Sequence, residues 1–249
     1  MKPGLLVACH DAGGAEVVSS WVLRHLDKWN PTYLLDGPAI ENFERKLNPL
    51  LRVPWVYPDF VLCGSSSKAS LERHVIKRAT QDYHVRCAVY LDHWTNYRER
   101  FDQLPDEVWV CDEHAEALAR KELPGANIIV KGNPYLEDIA KEVAAIDAEE
   151  IAHHNGRILC AYGPTAKNQD IMRLPDEFAM EYGRRHRPHP SDMPSARSLA
   201  EDIAWADVVI GYDTMALVAA LYGNRRVISL LPASESRLPF PEIERPRAS

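Results

Sequence analysis

The sequence has no long hydrophobic run and no pair of cysteines at CxxC spacing. No apolar stretch approaches the ~20 residues that a membrane-spanning helix needs. The thiols lie mostly in or beside apolar, strand-like runs, which predicts buried free cysteines in a reducing compartment and no zinc site. We therefore expect a cytoplasmic protein. Peripheral association with a membrane surface stays open as an alternative. The five cysteines are Cys9, Cys63, Cys87, Cys111 and Cys160.

Nucleotide fingerprints of the usual kinds are also missing. The chain contains neither GxGxxG nor a Walker loop, and it has no DxD triplet. Its net charge is −7, with acidic and basic residues interleaved, which gives no reason to expect nucleic acid as a partner. With 249 residues, 46% of them hydrophobic and 26% charged, it can fold as one large or two small globular domains.

Apolar, strand-like runs alternate with helical segments along the whole chain. After the first such series comes a charged helical stretch, "AKEVAAIDAEEIAHHNG", and then "RILCAYG" starts the same pattern again. Strands that alternate with helices favour parallel sheets with right-handed crossovers. The sequence therefore predicts an α/β protein with two Rossmann-like, doubly wound domains facing a cleft. We place the domains at residues 1–137 and 138–249.

Small and polar residues follow the predicted strands repeatedly. Ligands of open parallel sheets bind at the carboxyl ends of the strands. One such group can be structural, but six indicate a cleft lined from both domains. The groups are His10 to Gly14, Gly64 to Ser67, Asp92 to Asn96, Gly163 to Thr165, His189 to Ser191 and Gly211 to Thr214.

The segment "HDAGGAE" follows the first strand and opens the first helix. Gly13 and Gly14 let backbone come close to a ligand, and a helix N-terminus favours negative charge. His10 and Asp11 precede these glycines, which favours a functional interpretation. The alternative is a tight strand-to-helix turn in which Asp11 is only the helix cap.

The segment "YLDHWTNYRERF" places Asp92 and His93 directly after a buried strand. Trp94 is a candidate for stacking on a sugar or base, and Arg98 and Arg100 are candidates for contacting phosphate or carboxylate. An amphipathic helix that starts with Asp92 as its cap is an equally good interpretation.

In the second half, "RPHPSD" predicts a loop stiffened by two prolines, in which His189 is either a hydrogen-bond donor to a phosphate or a solvent-exposed loop histidine. "AYGPTAK" ends the first strand of that half. "GYDTM" ends a later strand and begins the helix Met215 to Tyr222. A structural turn explains each motif alone, but their shared position after strands favours a ligand site.

A His-Pro loop, followed by a strand and a small polar turn that begins a helix, resembles the GT-B glycosyltransferases. The resemblance is closest to bacterial sialyltransferases, Kdo transferases and CDP-glycerol glycerophosphotransferases of capsule and teichoic-acid synthesis. In that family the His-Pro histidine and the later polar turn hold the donor's phosphate. The corresponding residues here are His189, Pro190, Asp213 and Thr214, where an Asp-Thr pair replaces the usual serine pair.

The resemblance implies a compact, GT-B-like fold and a metal-independent glycosyltransferase of surface polysaccharide or glycoconjugate synthesis. It needs no cofactor; its partners are a nucleotide-sugar donor and a glycan or small-molecule acceptor. Asp11 is the first choice for the base, with His10 as orienter or alternative, and Asp92 and His93 form the reserve pair. The donor-binding candidates are Gly13, Gly14, Gly163, Thr165, His189, Pro190, Ser191, Gly211, Tyr212, Asp213, Thr214 and Met215.

Two other functions remain open. A hydrolysing nucleotide-sugar epimerase of the same fold would release nucleotide without an acceptor. A non-catalytic nucleotide-sugar binding protein would neither transfer the sugar nor release the nucleotide.

Overall fold

A computed structural model describes residues 1–48, 57–66, 70–149, 156–163, 183–189 and 195–245. The chain divides into two compact units, Met1–Tyr135 and Leu136–Ser249. Each unit contains a parallel sheet with helices between its strands. None of the helices in the described part of the chain is both long and apolar enough to cross a bilayer.

The described strands of the first unit form one sheet. They are β1 (Gly4–Cys9), β2 (Asn30–Leu35), β3 (Phe60–Cys63), β4 (Cys87–Tyr90), β5 (Glu107–Val110) and β6 (Ile128–Val130). Their order is β2-β1-β3-β4-β5-β6, and every pairing is parallel. Strands β3, β4 and β5 are buried along their whole length, as expected for strands covered on both faces.

The helices of the first unit lie between these strands in the chain. They are α1 (Ala12–Leu23), α2 (Ala39–Leu47), α3 (Ser70–Lys77) and α4 (Glu113–Glu122), with a π-helical turn at Arg78–Asp82 and a 3₁₀ turn at Arg98–Arg100; α5 (Pro134–Glu149) follows β6. Most residues of helix α1 are buried, and Val17, Val18 and Val22 are each less than 2% exposed. Helix α5 begins at the end of the first unit and continues into the second.

The second unit repeats the arrangement with fewer strands. Its described strands are β7 (Ile158–Ala161), β8 (Arg184–Arg187), β9 (Val208–Gly211) and β10 (Arg226–Ser229), in the order β10-β9-β7-β8. Its helices after α5 are α6 (Leu199–Trp205) and α7 (Met215–Tyr222). All described strand pairings here are parallel too.

Strand β8 differs from the sequence interpretation, which treated Arg187 as part of a loop. Arg184–Arg187 pairs with β7 in register, and only Pro188 and His189 follow it before the described segment ends. The strand has the sequence RRHR and so contains no apolar side chain. Arg185 lies over the Trp205 ring at 4.1 Å, and Arg187 pairs with Asp202 at 2.7 Å. Aromatic and charged partners thus take the place of apolar burial.

The prediction of buried free thiols is confirmed. All five cysteines are free and buried. Burial raises the pKa of the Cys9, Cys111 and Cys160 thiols above the ordinary value, which keeps these side chains neutral members of the core.

Candidate functional site

The carboxyl ends of β1, β3 and β4 lie side by side in the first sheet. Ala8 of β1 pairs with Cys63 of β3, and Cys63 in turn pairs with Val89 of β4. The residues that follow these three strands therefore meet at one edge. The segments brought together there begin at His10, Gly64 and Leu91.

His10 and Asp11 form one charged pair at this edge. The His10 ring atom Nδ1 lies 2.7 Å from Asp11 Oδ1, and both side chains are partly exposed, 31% and 39%. The hydrogen bond to Asp11 is the main reason that the pKa of His10 is raised. Asp11 occupies the N-cap position of α1, but its side chain makes no cap hydrogen bond there. The capping interpretation therefore accounts for its position and not for its contact.

Glu72 of α3 supports the same turn. Its Oε1 accepts a hydrogen bond from the backbone N–H of His10 at 2.7 Å. The side chain is 3% exposed, and Oε2 has no hydrogen-bond partner among the described residues. Burial raises the pKa of the Glu72 carboxyl. The sequence interpretation did not select this residue, because a glutamate in an amphipathic helix carries no signal of its own.

The raised pKa of His10 gives a testable pH dependence. A histidine whose folded pKa is raised stabilises the fold below its unfolded pKa of about 6.5, and this stabilisation is lost as the pH rises through the folded value. Since the pair is partly solvated, we expect a contribution below about 1 kcal/mol. Asp11→Asn should lower the His10 midpoint in an NMR titration of its ring protons. Asp27→Asn is the control, and an unchanged midpoint in Asp11→Asn would contradict the assignment.

Asp92 and His93 form a second pair, at the end of β4. Asp92 Oδ2 lies 2.6 Å from His93 Nδ1, with the Asp92 side chain 1% exposed and the His93 side chain 43% exposed. The carboxylate is thus inaccessible to a bound molecule, while the imidazole reaches solvent. The hydroxyl of Tyr97 also donates to the His93 carbonyl, which fixes the backbone beside the ring.

The other oxygen of Asp92 faces Ser65 and Arg100. Ser65 Oγ donates to Asp92 Oδ1 at 2.7 Å, and Arg100 Nη1 donates to Ser65 Oγ at 2.9 Å. Burial acts to raise the pKa of Asp92, but His93, Arg100 and the Ser65 hydroxyl together outweigh it and leave the pKa below its ordinary value. Asp92 is therefore a buried carboxylate held in its ionised form.

Gly13 and Gly14 let helix α1 approach this network. A Cβ on Gly13 would lie 2.1 Å from Asp92 Oδ2 and 3.1 Å from His93 Cε1. A Cβ on Gly14 would lie 2.8 Å from the Ser65 backbone nitrogen. Both glycines let the backbone of α1 pack closely against other parts of the protein. The sequence interpretation had proposed that they let the backbone approach the donor. Whether they also contact a ligand stays a prediction.

The segment after Asp92 does not form the amphipathic helix that was the alternative interpretation. Residues 91–97 are irregular, and only the short turn Arg98–Arg100 follows. Trp94 is 6% exposed and its Nε1 donates to Asp112. Its ring is therefore part of the protein interior and is not presented for stacking on a ligand.

The second unit collects its candidates at the carboxyl edge of its own sheet. Gly163, His189 and Gly211 follow or end the adjacent strands β7, β8 and β9. Thr214 is the N-cap residue of α7, and Met215 is the first residue of that helix. The Thr214 side chain makes no cap hydrogen bond, and its buried Oγ1 has no partner within the described residues.

Asp213 and Tyr212 have structural partners in the same turn. Asp213 Oδ1 accepts a hydrogen bond from Ser236 Oγ at 2.9 Å, and Oδ2 accepts from the Arg237 backbone N–H. Tyr212 is 8% exposed and belongs to the core. Thr165, Pro190 and Ser191 lie outside the described residues.

Among the described residues, no group of three His, Cys, Asp or Glu side chains is arranged to hold a metal ion. The described polar groups offer proton donors and acceptors instead. The first unit presents one solvated imidazole backed by a buried carboxylate and a second imidazole held near a carboxylate. This arrangement can move protons to and from a bound hydroxyl.

No family model and no curated protein matches this chain. One solved structure with a similar fold is the UDP-GlcNAc 2-epimerase from Methanocaldococcus jannaschii, with a TM-score of 0.61 and 12% sequence identity. The similarity covers 91% of this chain and 83% of that chain. It confirms the predicted fold class, an α/β protein with two Rossmann-like parallel-sheet domains.

Proposed function

We propose that the chain is a glycosyltransferase that moves a sugar from a nucleotide-activated donor to an acceptor hydroxyl. The observation that carries the proposal is the Asp92–His93 pair, a buried carboxylate 2.6 Å from a half-exposed imidazole. Such a pair is suited to general-base catalysis, because the carboxylate orients the ring and stabilises the imidazolium that forms. The fold, which it shares with a nucleotide-sugar enzyme, adds support.

In this proposal His93 Nε2 accepts the proton of the acceptor hydroxyl. The acceptor oxygen forms a bond to the anomeric carbon of the sugar. The bond from that carbon to the phosphate oxygen breaks, and its electron pair leaves on the nucleotide. Asp92 is too deeply buried, at 1% exposure, to touch the acceptor and acts through His93.

We propose His93 as the base in place of Asp11, the first choice made from the sequence, because the Asp11 carboxylate is engaged with the His10 ring. Asp11 contacts His10 at 2.7 Å, and this contact favours the protonated ring of His10. A protonated imidazole cannot accept a proton. His10 therefore fits the role of a proton donor or of a hydrogen-bond donor to substrate, with Asp11 as its orienter.

The donor phosphate is assigned to the second unit. Backbone N–H groups at the start of α7, together with the helix dipole, favour an anion there. Thr214 Oγ1, which has no partner among the described residues, supplies one more donor, and His189 follows β8 at the same edge of the sheet. His189 would stabilise the charge on the departing phosphate.

This assignment predicts weaker nucleotide binding in two variants. His189→Ala and Thr214→Val should each lower affinity for nucleotide about tenfold or more, since a lost charge-assisted hydrogen bond costs roughly 1.5–3 kcal/mol. Calorimetric titration with nucleoside diphosphates measures the effect. His186→Ala, which removes the partner of the Tyr162 hydroxyl at 2.6 Å, is the control on β8, the strand that precedes His189. Unchanged affinity in both folded variants would remove the phosphate from this turn.

A hydrolysing epimerase is the second candidate, favoured because a UDP-GlcNAc 2-epimerase shares the fold. Incubation with nucleotide sugars, among them UDP-GlcNAc, separates the alternatives. A transferase releases nucleotide in proportion to added acceptor, an epimerase releases nucleotide and an altered sugar without acceptor, and a binding protein releases neither. NMR spectra of the anomeric protons distinguish the sugars. Nucleotide release that does not depend on acceptor would contradict the transferase proposal.

A further inference from the structure

We propose that Ser65 and Arg100 are positioning residues that set the proton affinity of His93 through Asp92. Two hydrogen bonds, from Arg100 to Ser65 at 2.9 Å and from Ser65 to Asp92 at 2.7 Å, and one ion-pair contact, between Asp92 and His93 at 2.6 Å, connect the four residues. The catalytic consequence of this chain depends on the proposed function. The effect on His93 itself does not, because it exists without substrate.

The chemistry of the donor and acceptor groups fixes the direction of both hydrogen bonds in the chain. A guanidinium donates hydrogen bonds and cannot accept one. Ser65 Oγ must therefore accept from Arg100, and its single proton is directed to Asp92 Oδ1. The second oxygen of Asp92 is then left to face Nδ1 of His93. This contact favours the tautomer in which Nδ1 carries the hydrogen and Nε2 is free to accept a proton.

Burial explains why such support is needed. Asp92, Ser65 and Arg100 are 1%, 3% and 9% exposed. A buried carboxylate without a compensating charge tends to take up a proton. In this pair the proton goes to the imidazole of His93, which is the more basic of the two groups. The Arg100 guanidinium, one hydroxyl away from Asp92, supplies the compensating charge when His93 is neutral.

Three other titratable groups that respond to the Asp92 charge are neutral, and the carboxylates of Glu72 and Asp112 act on the same groups. The three neutral groups are the thiols of Cys9 and Cys111 and the phenol of Tyr97. Burial is the main cause of a raised pKa in all three, and the Asp92 charge adds to it. Arg100 and His93 are therefore the charged partners of this carboxylate within the described part of the chain.

The test follows the titration of the His93 ring by NMR in Ser65→Ala and Arg100→Gln. Loss of the hydroxyl donor or of the positive charge makes the Asp92–His93 pair bind a proton more readily. The His93 midpoint should therefore rise in both variants, by about one pH unit for Arg100→Gln. Arg100→Lys keeps the charge and should restore most of the wild-type midpoint.

Arg98→Gln is the matched control, because Arg98 lies in the same 3₁₀ turn and is exposed. It should leave the His93 midpoint unchanged. Circular dichroism shows whether each variant is folded. If Arg100→Gln does not fold, Ser65→Ala decides alone, since it removes one hydroxyl and little volume. A wild-type His93 midpoint in folded Ser65→Ala overturns the proposal.

The same variants separate this proposal from the proposed function. If nucleotide-sugar turnover is found, the acidic limb of its pH profile should move upward together with the His93 midpoint. If no nucleotide sugar is turned over but the midpoint still moves, the function fails and the chain of contacts stands. If turnover is found and neither the midpoint nor the profile moves, the function stands and the roles of Ser65 and Arg100 fail.

Discussion

Replacement of His93 by alanine is expected to lower kcat about 10²–10⁴-fold, the usual contribution of general-base assistance. Affinity for nucleotide should stay near that of the wild type, because the donor is assigned to the second unit and uniform binding is not affected. The variant should fold, since the His93 side chain is 43% exposed. Steady-state kinetics with a nucleotide sugar and acceptor, together with calorimetry of nucleotide binding, give both quantities.

Asp92→Asn should cause a loss of the same order. The amide matches the carboxylate in size, but it removes the charge that stabilises the imidazolium. His74→Ala is the control, because His74 is exposed on α3 and lies away from this pair in the sequence. Intact turnover in His93→Ala, with turnover abolished in Asp11→Asn, would return the base to the residue first chosen from the sequence.

Gly13→Ala is expected to destabilise the fold and to remove activity together. On helix propensity alone, alanine in place of glycine would gain up to about 1 kcal/mol. The added Cβ, however, would lie 2.1 Å from Asp92 Oδ2, and overpacking of a tight interior typically costs about 1–3 kcal/mol. The carboxylate cannot move aside without leaving Ser65 and His93. The net effect should therefore be a loss of stability, measured by chemical denaturation.

A double-mutant cycle tests whether the clash with Asp92 is the cause. In an Asp92→Ala background the colliding oxygen is gone, so Gly13→Ala should cost less than it does in the wild type. Equal costs in the two backgrounds would show that the helix, and not the carboxylate, resists the added methyl group. Gly163→Ala should change the stability little, because among the described residues the nearest atom to its Cβ position is 3.8 Å away.

The elements that the sequence predicted best are those whose pattern is local. The run Val208 to Ile210 is a strand ending in Gly211, and Met215–Tyr222 is the helix that follows it. Apolar β-branched runs and alanine-rich segments specify such elements without help from distant residues. The parallel order of the sheets follows from their alternation.

Elements without an apolar pattern were missed. Strand β8 has the sequence RRHR, and its arginines contact Trp205 and Asp202, which lie 15 or more positions away in the sequence. Helix α2 was not predicted either, since only Ala39 and Phe43 are buried along its length. Where partners are remote in the chain, the local sequence does not distinguish a strand or helix from a loop.

The residues of the candidate site could be selected from the sequence, but the contacts between them could not be predicted. The polar ends of β1 and β4 marked His10, Asp11, Asp92 and His93 from the sequence. Asp92 is buried beside Ser65, which lies 27 positions earlier in the sequence and donates a hydrogen bond to it. Asp92 also lies against Gly13, where a side chain would collide with the carboxylate. No periodicity encodes these contacts, so the sequence alone ranked His10 and Asp11 first, and which pair carries the base stays a prediction.

The buried cysteines make the chain suited to a measurement that needs no added probe. A thiol reacts with alkylating reagents as the thiolate and only when exposed, so each of the five buried thiols is shielded until its surroundings open. Four of them lie in the first unit and Cys160 lies in the second. Mass spectrometry of alkylated peptides would thus time the opening of each unit separately. A cysteine introduced at the surface would react with the reagent long before the buried ones. A spectroscopic label could therefore be attached to it without removing the natural cysteines.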